Sequence, residues 1–182
     1  MRNLIYAINV SLDGVCEHTK FMPNEDTFEY STDLVRGADT FVYGRKTYEL
    51  MVPYWPDIAK NPTEDKIEND FAQAFISVNK MVVISRSLDS AEGKNTEIAR
   101  GDLRDTILKL KQEEGKYILT GGIDIPTQLS ELGLIDEYQF VVHPIVVGEG
   151  RRLLEGISTL PLKLVGSNIF KSGSVVLRYV KK

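Results

Sequence analysis

Two glycine-bearing segments have the residue types and order of phosphate-binding turns: Phe41-Val42-Tyr43-Gly44-Arg45-Lys46-Thr47-Tyr48-Glu49, and Lys116-Tyr117-Ile118-Leu119-Thr120-Gly121-Gly122-Ile123-Asp124-Ile125. Each runs from apolar strand-type residues through glycine into a potential helix start. A helix start offers unpaired backbone N–H groups and a partial positive charge, so it attracts anions. Glycine lets the chain turn sharply and lets a ligand approach the backbone. Either turn alone reads equally well as a plain strand-to-helix connection. Together they point to a ligand with two phosphates, such as a dinucleotide. Arg45 and Lys46 are cations at a helix start, where they oppose the helix dipole unless an anion sits beside them.

The elements that must position these turns alternate along the chain. Leu4–Val10 reads as a strand buried on both faces, and Ser11-Leu12-Asp13-Gly14 as a loop. A helix is expected over 28–36, ended by Gly37. A short strand over 40–43 and a helix over 45–51 flank the first turn. Residues 52–62 carry Pro53, Pro56 and Pro62 and read as a loop bearing Trp55. A helix over 67–78, a strand over 80–85, a helix over 103–111, a strand over 116–120 and a helix over 123–132 follow. Strands are expected over 138–142 and 145–147, on either side of His143-Pro144. The segments 160–170 and 175–180 are joined by Lys171-Ser172-Gly173-Ser174 and read as a hairpin. This order predicts an α/β fold of three α/β/α layers, with a mixed, mostly parallel sheet and a C-terminal antiparallel hairpin. Ligands of such sheets bind beyond the carboxyl ends of the strands, where both glycine turns fall.

The totals bound the function. At 182 residues, 42% apolar and 26% charged, the chain is expected to be a single domain over 1–182 with a real core. A net charge of -4 argues against a general nucleic-acid surface. Cys16 is the lone cysteine and cannot form an intrachain disulfide, which fits a reducing compartment. The N-terminal apolar run is too short for a signal peptide, and no stretch is long and apolar enough to span a membrane. A cytoplasmic, unanchored protein is expected.

These segments, in this order, resemble the dihydrofolate reductase fold, and more closely the reductase domain of the bacterial riboflavin-biosynthesis deaminase-reductase in a stand-alone form. The resemblance rests on Ser11-Leu12-Asp13-Gly14, Gly44-Arg45-Lys46-Thr47-Tyr48-Glu49, Val83-Ile84-Ser85-Arg86, Gly121-Gly122, Gly133-Leu134-Ile135-Asp136-Glu137 and Pro144-Ile145-Val146-Val147-Gly148-Glu149-Gly150. It covers nearly the whole chain in register. With a single cysteine there is no pair for a deaminase zinc site. The resemblance implies NADPH as cofactor, with Gly44, Arg45, Lys46 and Thr47 on one side of its phosphates and Gly121, Gly122 and Ile123 on the pyrophosphate. Ser85 and Arg86 are implied near the adenosine ribose and its 2′-phosphate, and the forked cations of Arg45 and Arg86 suit phosphate oxygens.

By the same analogy the loop from Ser11 through Asp13 to Gly14 corresponds to a lid over the nicotinamide, and Ala7 and Ile8 lie beside the substrate ring. The implied activity is NADPH-dependent hydride transfer to a small heterocyclic or carbonyl compound. The family substrate is 5-amino-6-(5-phosphoribosylamino)uracil; the alternatives are dihydrofolate reduction and a non-catalytic NADPH-binding sensor or interaction protein. A homodimer is implied.

The chain departs from its relatives at the substrate end. The acid that dihydrofolate reductases place after the lid falls on Phe28, between Asp26 and Glu29. Thr120 stands where the riboflavin enzyme carries an acidic residue, and residues 50–56 contain no substrate-binding arginine. Trp55 and Tyr54 either wall a ring-shaped substrate or anchor a loop on the core. Cys16 and His18 form either a nucleophile–base pair or an ordinary loop. His143 reads as a satisfied core or edge histidine, since no cluster supports a metal there. Asp124 either caps its helix or faces the turn, and is expected to point away from it.

Overall fold

A computed structural model describes residues 1–21, 23–93 and 95–182. The elements run β1 (Leu4–Ser11), α1 (Glu25–Gly37), β2 (Ala38–Gly44), α2 (Arg45–Lys60), α3 (Lys66–Ile76), β3 (Lys80–Ile84), β4 (Thr96–Ala99), α4 (Leu103–Gln112), β5 (Tyr117–Thr120), α5 (Asp124–Glu131), β6 (Glu137–His143), β7 (Leu162–Ile169) and β8 (Val175–Lys181). The strands form one eight-stranded sheet in the order β4-β3-β2-β5-β1-β6-β8-β7. The pairings from β4 to β6 are parallel, and β8 joins β6 and β7 antiparallel.

Apolar runs explain the central strands. Residues 4–6 of β1, 41–43 of β2 and 118–120 of β5 are buried, as a strand covered on both faces requires. One face packs Phe41, Tyr43, Val83 and Leu119 against Val35 of α1, Val52 and Trp55 of α2, and Phe71 and Phe75 of α3. The other packs Tyr6, Val42, Val82 and Ile118 against Ile107 and Leu110 of α4 and Ile125 and Leu129 of α5. The result is three layers with a mixed sheet. Its antiparallel strands come from the C-terminal hairpin, as the sequence predicts.

Three segments differ from the sequence reading. Helix α2 does not stop at Met51 but continues through Pro53 and Pro56 to Lys60. A proline inside a helix forfeits a backbone bond and kinks the axis. Here Val52 and Trp55 are buried between the helix and the core, and that burial holds the turn helical. Residues 145–147 are not a strand. They leave β6 as irregular chain whose Val147 and Gly148 N–H groups donate to the Asp13 carboxylate at 3.0 and 2.8 Å. Strand β4 lies in a segment with no apolar run; it is a short edge strand paired to β3. Among the described residues no helix is long and apolar enough to cross a membrane.

Candidate functional site

The carboxyl ends of the central strands open into a cavity of about 710 Å³. Its floor is Ala7, Ile8 and Asn9 of β1, Tyr43 of β2, Leu119 and Thr120 of β5, and Val141 of β6. One wall is α1, with Tyr30, Ser31, Leu34 and Val35, backed by Met51 of α2 and Phe71 of α3. The loop after β1 closes another side with Cys16, Glu17, His18, Phe21 and Pro23.

Both glycine turns line this cavity: Gly44, Arg45, Lys46 and Thr47 from the first, and Gly121, Gly122 and Ile123 from the second. They also interlock. A Cβ on Gly44 would lie 2.9 Å from Cγ1 of Ile125, so only glycine lets β2 pass the start of α5. Gly122 has a φ of 82°, the left-handed region that glycine enters without strain. A side chain there would also run into the Thr47 hydroxyl. Tyr6 donates its hydroxyl to the Gly122 carbonyl at 2.9 Å, and Thr120 donates to the Val42 carbonyl at 2.7 Å, fixing both turns to the sheet.

Helices α2 and α5 both begin without a side-chain cap, and α2 has no acidic residue in its first turn. Two helix starts therefore present backbone N–H groups without a capping side chain. Lys46 and Arg151 stand at the same rim, both paired to Asp124. Arg45 pairs with Glu49 at 3.6 Å. Asp124 thus faces the rim rather than pointing away, because Arg151 and Lys46 draw it there. The hydrogen bond from Arg151 holds its carboxyl below the usual range. Two uncapped helix starts beside glycine turns suit a diphosphate, while the rim cations Arg45, Lys46 and Arg151 are paired to Glu49 and Asp124 in this structure.

Other residues singled out from sequence lie elsewhere. Ser85 and Arg86 are not in the cavity wall. The Ser85 hydroxyl accepts from the N–H groups of Ser87 and Leu88, closing the turn after β3. Gly44 pairs in register with Ile84, so this turn leaves the sheet beside the Gly44 turn, with Arg86 exposed. Asp13 is also outside the wall; its carboxylate accepts from Ser11, Val147 and Gly148 and is held well below the usual carboxylate range by those bonds. Trp55 is 9% exposed, with its ring 4.4 Å from that of Phe71 and 6.2 Å from that of Phe28. It backs the cavity from behind Phe71 and does not line it.

Neither Asp26 nor Glu29 lines the cavity, and the Asp26 carboxylate is bound to the backbone and hydroxyl of Ser172. Cys16 and His18 both line it. Burial pushes the Cys16 thiol up to about 11, with Arg151 opposing, so it is not a poised thiolate. His143 is 3% exposed and bonded to Asn9 and Ser174. Burial lowers its pKa, with Asp26 opposing. Among the described residues no group of His, Cys, Asp and Glu is arranged to hold a metal ion. Asn9, Glu17, Phe21 and Pro23 were not legible as site residues, because the contacts that place them are long-range.

Residues 2–176 match the family model described as the RibD C-terminal domain. The uncharacterized protein YyaP of Bacillus subtilis (strain 168) is 31% identical over 98% of this chain and 94% of its own. A diaminohydroxyphosphoribosylaminopyrimidine deaminase/5-amino-6-(5-phosphoribosylamino)uracil reductase from Thermotoga maritima superposes with a TM-score of 0.69 at 15% identity, covering 100% of this chain. The chain spans 57% of that protein's length. Dihydrofolate reductase from Enterococcus faecalis, complexed with NADP(H) and RAB-propyl, superposes with a TM-score of 0.64 at 15% identity over 99% of this chain and 96% of its own. The fold is therefore dihydrofolate reductase-like, and the chain belongs to the RibD C-terminal domain family.

Proposed function

We propose that residues 1–182 form one NADPH-dependent reductase domain that passes a hydride to a small heterocyclic or carbonyl substrate. The observation that carries this reading is the convergence of the Gly44 and Gly121–Gly122 turns on one cavity rimmed by Arg45, Lys46 and Arg151. NADPH, when bound, supplies the hydride from its nicotinamide ring. The protein's part is placement. The starts of α2 and α5, through residues 44–47 and 121–123, hold the pyrophosphate. Arg86, beside the first turn, takes the 2′-phosphate and sets the preference over NADH. The apolar floor and wall exclude water from the ring, and Ala7 and Ile8 orient the substrate face.

The α1 wall presents Tyr30, Ser31, Leu34 and Val35 and no carboxylate. This counts against dihydrofolate, whose ring nitrogen needs a placed acid. It leaves 5-amino-6-(5-phosphoribosylamino)uracil, the substrate in the Thermotoga protein's description, as the compound to test, although Thr120 and the arginine-free segment 50–56 depart from the riboflavin enzyme. The carboxylate-free α1 wall also supports a second reading, a non-catalytic NADPH-binding sensor. Mixing the NADPH-loaded protein with the aminouracil compound decides between them. Stoichiometric NADPH oxidation supports the reductase. Retained NADPH across a panel of heterocycles and aldehydes supports the sensor.

We also propose a cytoplasmic homodimer. Edge strand β7 leaves Leu164, Val165 and Ile169 exposed at 51%, 48% and 77%, a face that a second copy would cover. A monomer mass in light scattering contradicts this.

A further inference from the structure

Asn9 and His143 lie on the same face of the sheet, under α1 and the loop after β1. Val141 pairs with Asn9 and His143 with Ser11, so the two side chains are one pleat apart across β1 and β6. The Nε2 of His143 is 2.8 Å from Oδ1 of Asn9. Asn9 lines the cavity, and its Nδ2 has no hydrogen-bond partner among the described residues.

The other side of the His143 ring is tied to a helix cap far from the cavity. Asn24 caps α1: its Oδ1 accepts from the Thr27 N–H at 3.3 Å and from the Thr27 hydroxyl at 2.9 Å. With Oδ1 committed to the cap, Nδ2 of Asn24 donates to the Ser174 hydroxyl oxygen at 3.3 Å. Ser174 is fully buried, and its own hydrogen is left for Nδ1 of His143, 3.5 Å away. An amide oxygen can only accept, so facing Oδ1 of Asn9 the Nε2 carries the hydrogen, and Nδ1 of the neutral ring is left to accept from Ser174. The Nε2 hydrogen is given to Oδ1 of Asn9, which turns both Nδ2 hydrogens away from His143. The ring of Phe21 packs against His143, centroids 4.8 Å apart and planes tilted by 35°, and keeps it in place. The chain of donors runs from a helix cap, through the β7–β8 turn, to the cavity floor.

Resting on the reductase reading above, we propose that Asn9 is a specificity-determining residue. Its Nδ2 donors, aimed into the cavity by His143, take up an acceptor atom of a planar substrate, a ring carbonyl oxygen or an unprotonated ring nitrogen. Around Asn9 the floor and wall are mostly apolar, with Ala7, Leu34, Val35 and Val141. An acceptor placed against such a lone donor pair gains from the low local dielectric, and a ring lacking it leaves the donors buried and unpaired. His143 is a positioning residue and touches no substrate.

Two measurements test this. The first needs no ligand. The chain holds two histidines, so long-range ¹⁵N NMR of the native protein and of His18→Gln assigns His143 directly. The expected result at neutral pH is the Nε2–H tautomer; the Nδ1–H tautomer or an imidazolium overturns the orientation. The second compares wild type with Asn9→Asp, which keeps the shape and removes the donors, using 5-amino-6-(5-phosphoribosylamino)uracil as probe on protein saturated with the oxidised cofactor NADP⁺, which has no hydride to transfer. The dissociation constant for the probe is expected to rise at least about tenfold while that for NADPH is unchanged. Equal probe binding by both proteins overturns the proposal, as does a wild type that binds NADPH but not the probe. A wild type that does not bind NADPH instead removes the reductase reading beneath it. Should Asn9→Asp fail to fold, the tautomer decides in the native chain.

Discussion

The Thr47 hydroxyl occupies the space into which a side chain on Gly122 would project. The first residues of α2 and the turn after β5 are thereby one packed unit, although 75 positions separate them by number (122 minus 47). Gly122→Ala meets both the left-handed backbone, with a φ of 82°, and that hydroxyl. The substitution is expected to cost roughly 1–3 kcal/mol of stability and to weaken NADPH binding. Adding Thr47→Ala removes the obstacle but not the backbone strain, so the double variant recovers part of the loss. Denaturant unfolding of the three proteins checks this; strict additivity of the two substitutions contradicts the interlock.

Asp13 ties the start of the loop after β1 to residues 147 and 148, and its folded pKa lies below the unfolded value because Ser11, Val147 and Gly148 donate to the ionised form. A depressed carboxylate stabilises the fold fully above its unfolded pKa, about 4, and loses that contribution as pH falls through the folded value. Asp13→Asn does not titrate. The melting temperature of wild type should exceed that of Asp13→Asn above about pH 5. The gap should narrow as the solution is acidified. A gap independent of pH contradicts this role.

Cys16 lines the cavity yet is held as a thiol, with a pKa near 11. Iodoacetamide at mildly alkaline pH should modify it more slowly than a free cysteine by on the order of a hundredfold. The rate should keep climbing with pH beyond the point where a free thiol levels off. Rapid labelling at neutral pH would revive the nucleophile reading.

Trp55 packs against both Phe28 and Phe71, which also touch each other, behind the cavity wall. Trp55→Ala is expected to cost about 3–5 kcal/mol, and Trp55→Phe much less. Calorimetry on the folded Trp55→Phe protein should return the wild-type affinity for NADPH. A large loss of ligand affinity at unchanged stability would place the indole in the site.

Much of the fold was legible because its signals are local. The apolar run of Leu4–Val10, the two strand–glycine–helix turns and the Lys171–Ser174 hairpin turn each declare themselves within a few residues. The resemblance then ordered them. Prolines 53 and 56 misled because a proline's cost is local, whereas the burial of Val52 and Trp55 that outweighs it comes from α1 and α3. Ile145–Val147 has strand-type residues, but its Val147 N–H is claimed by Asp13, 134 positions earlier, and its Ile145 N–H by the His143 carbonyl. The two glycine turns that line the cavity could be read from turn chemistry. The other side of the cavity could not: Asn9 and His143 are likewise 134 positions apart, and nothing in either neighbourhood points to the other.

The central claim is that the interlocked glycine turns hold the phosphates of NADPH. Thermal unfolding with NADPH, with NADH and without ligand tests it most directly. At a hundred times its dissociation constant, a ligand adds about 2.7 kcal/mol. That is worth several degrees in a domain of this size, and the account predicts such a rise with NADPH and little with NADH. No rise with either nucleotide, or an equal rise for wild type and Gly122→Ala, would contradict it.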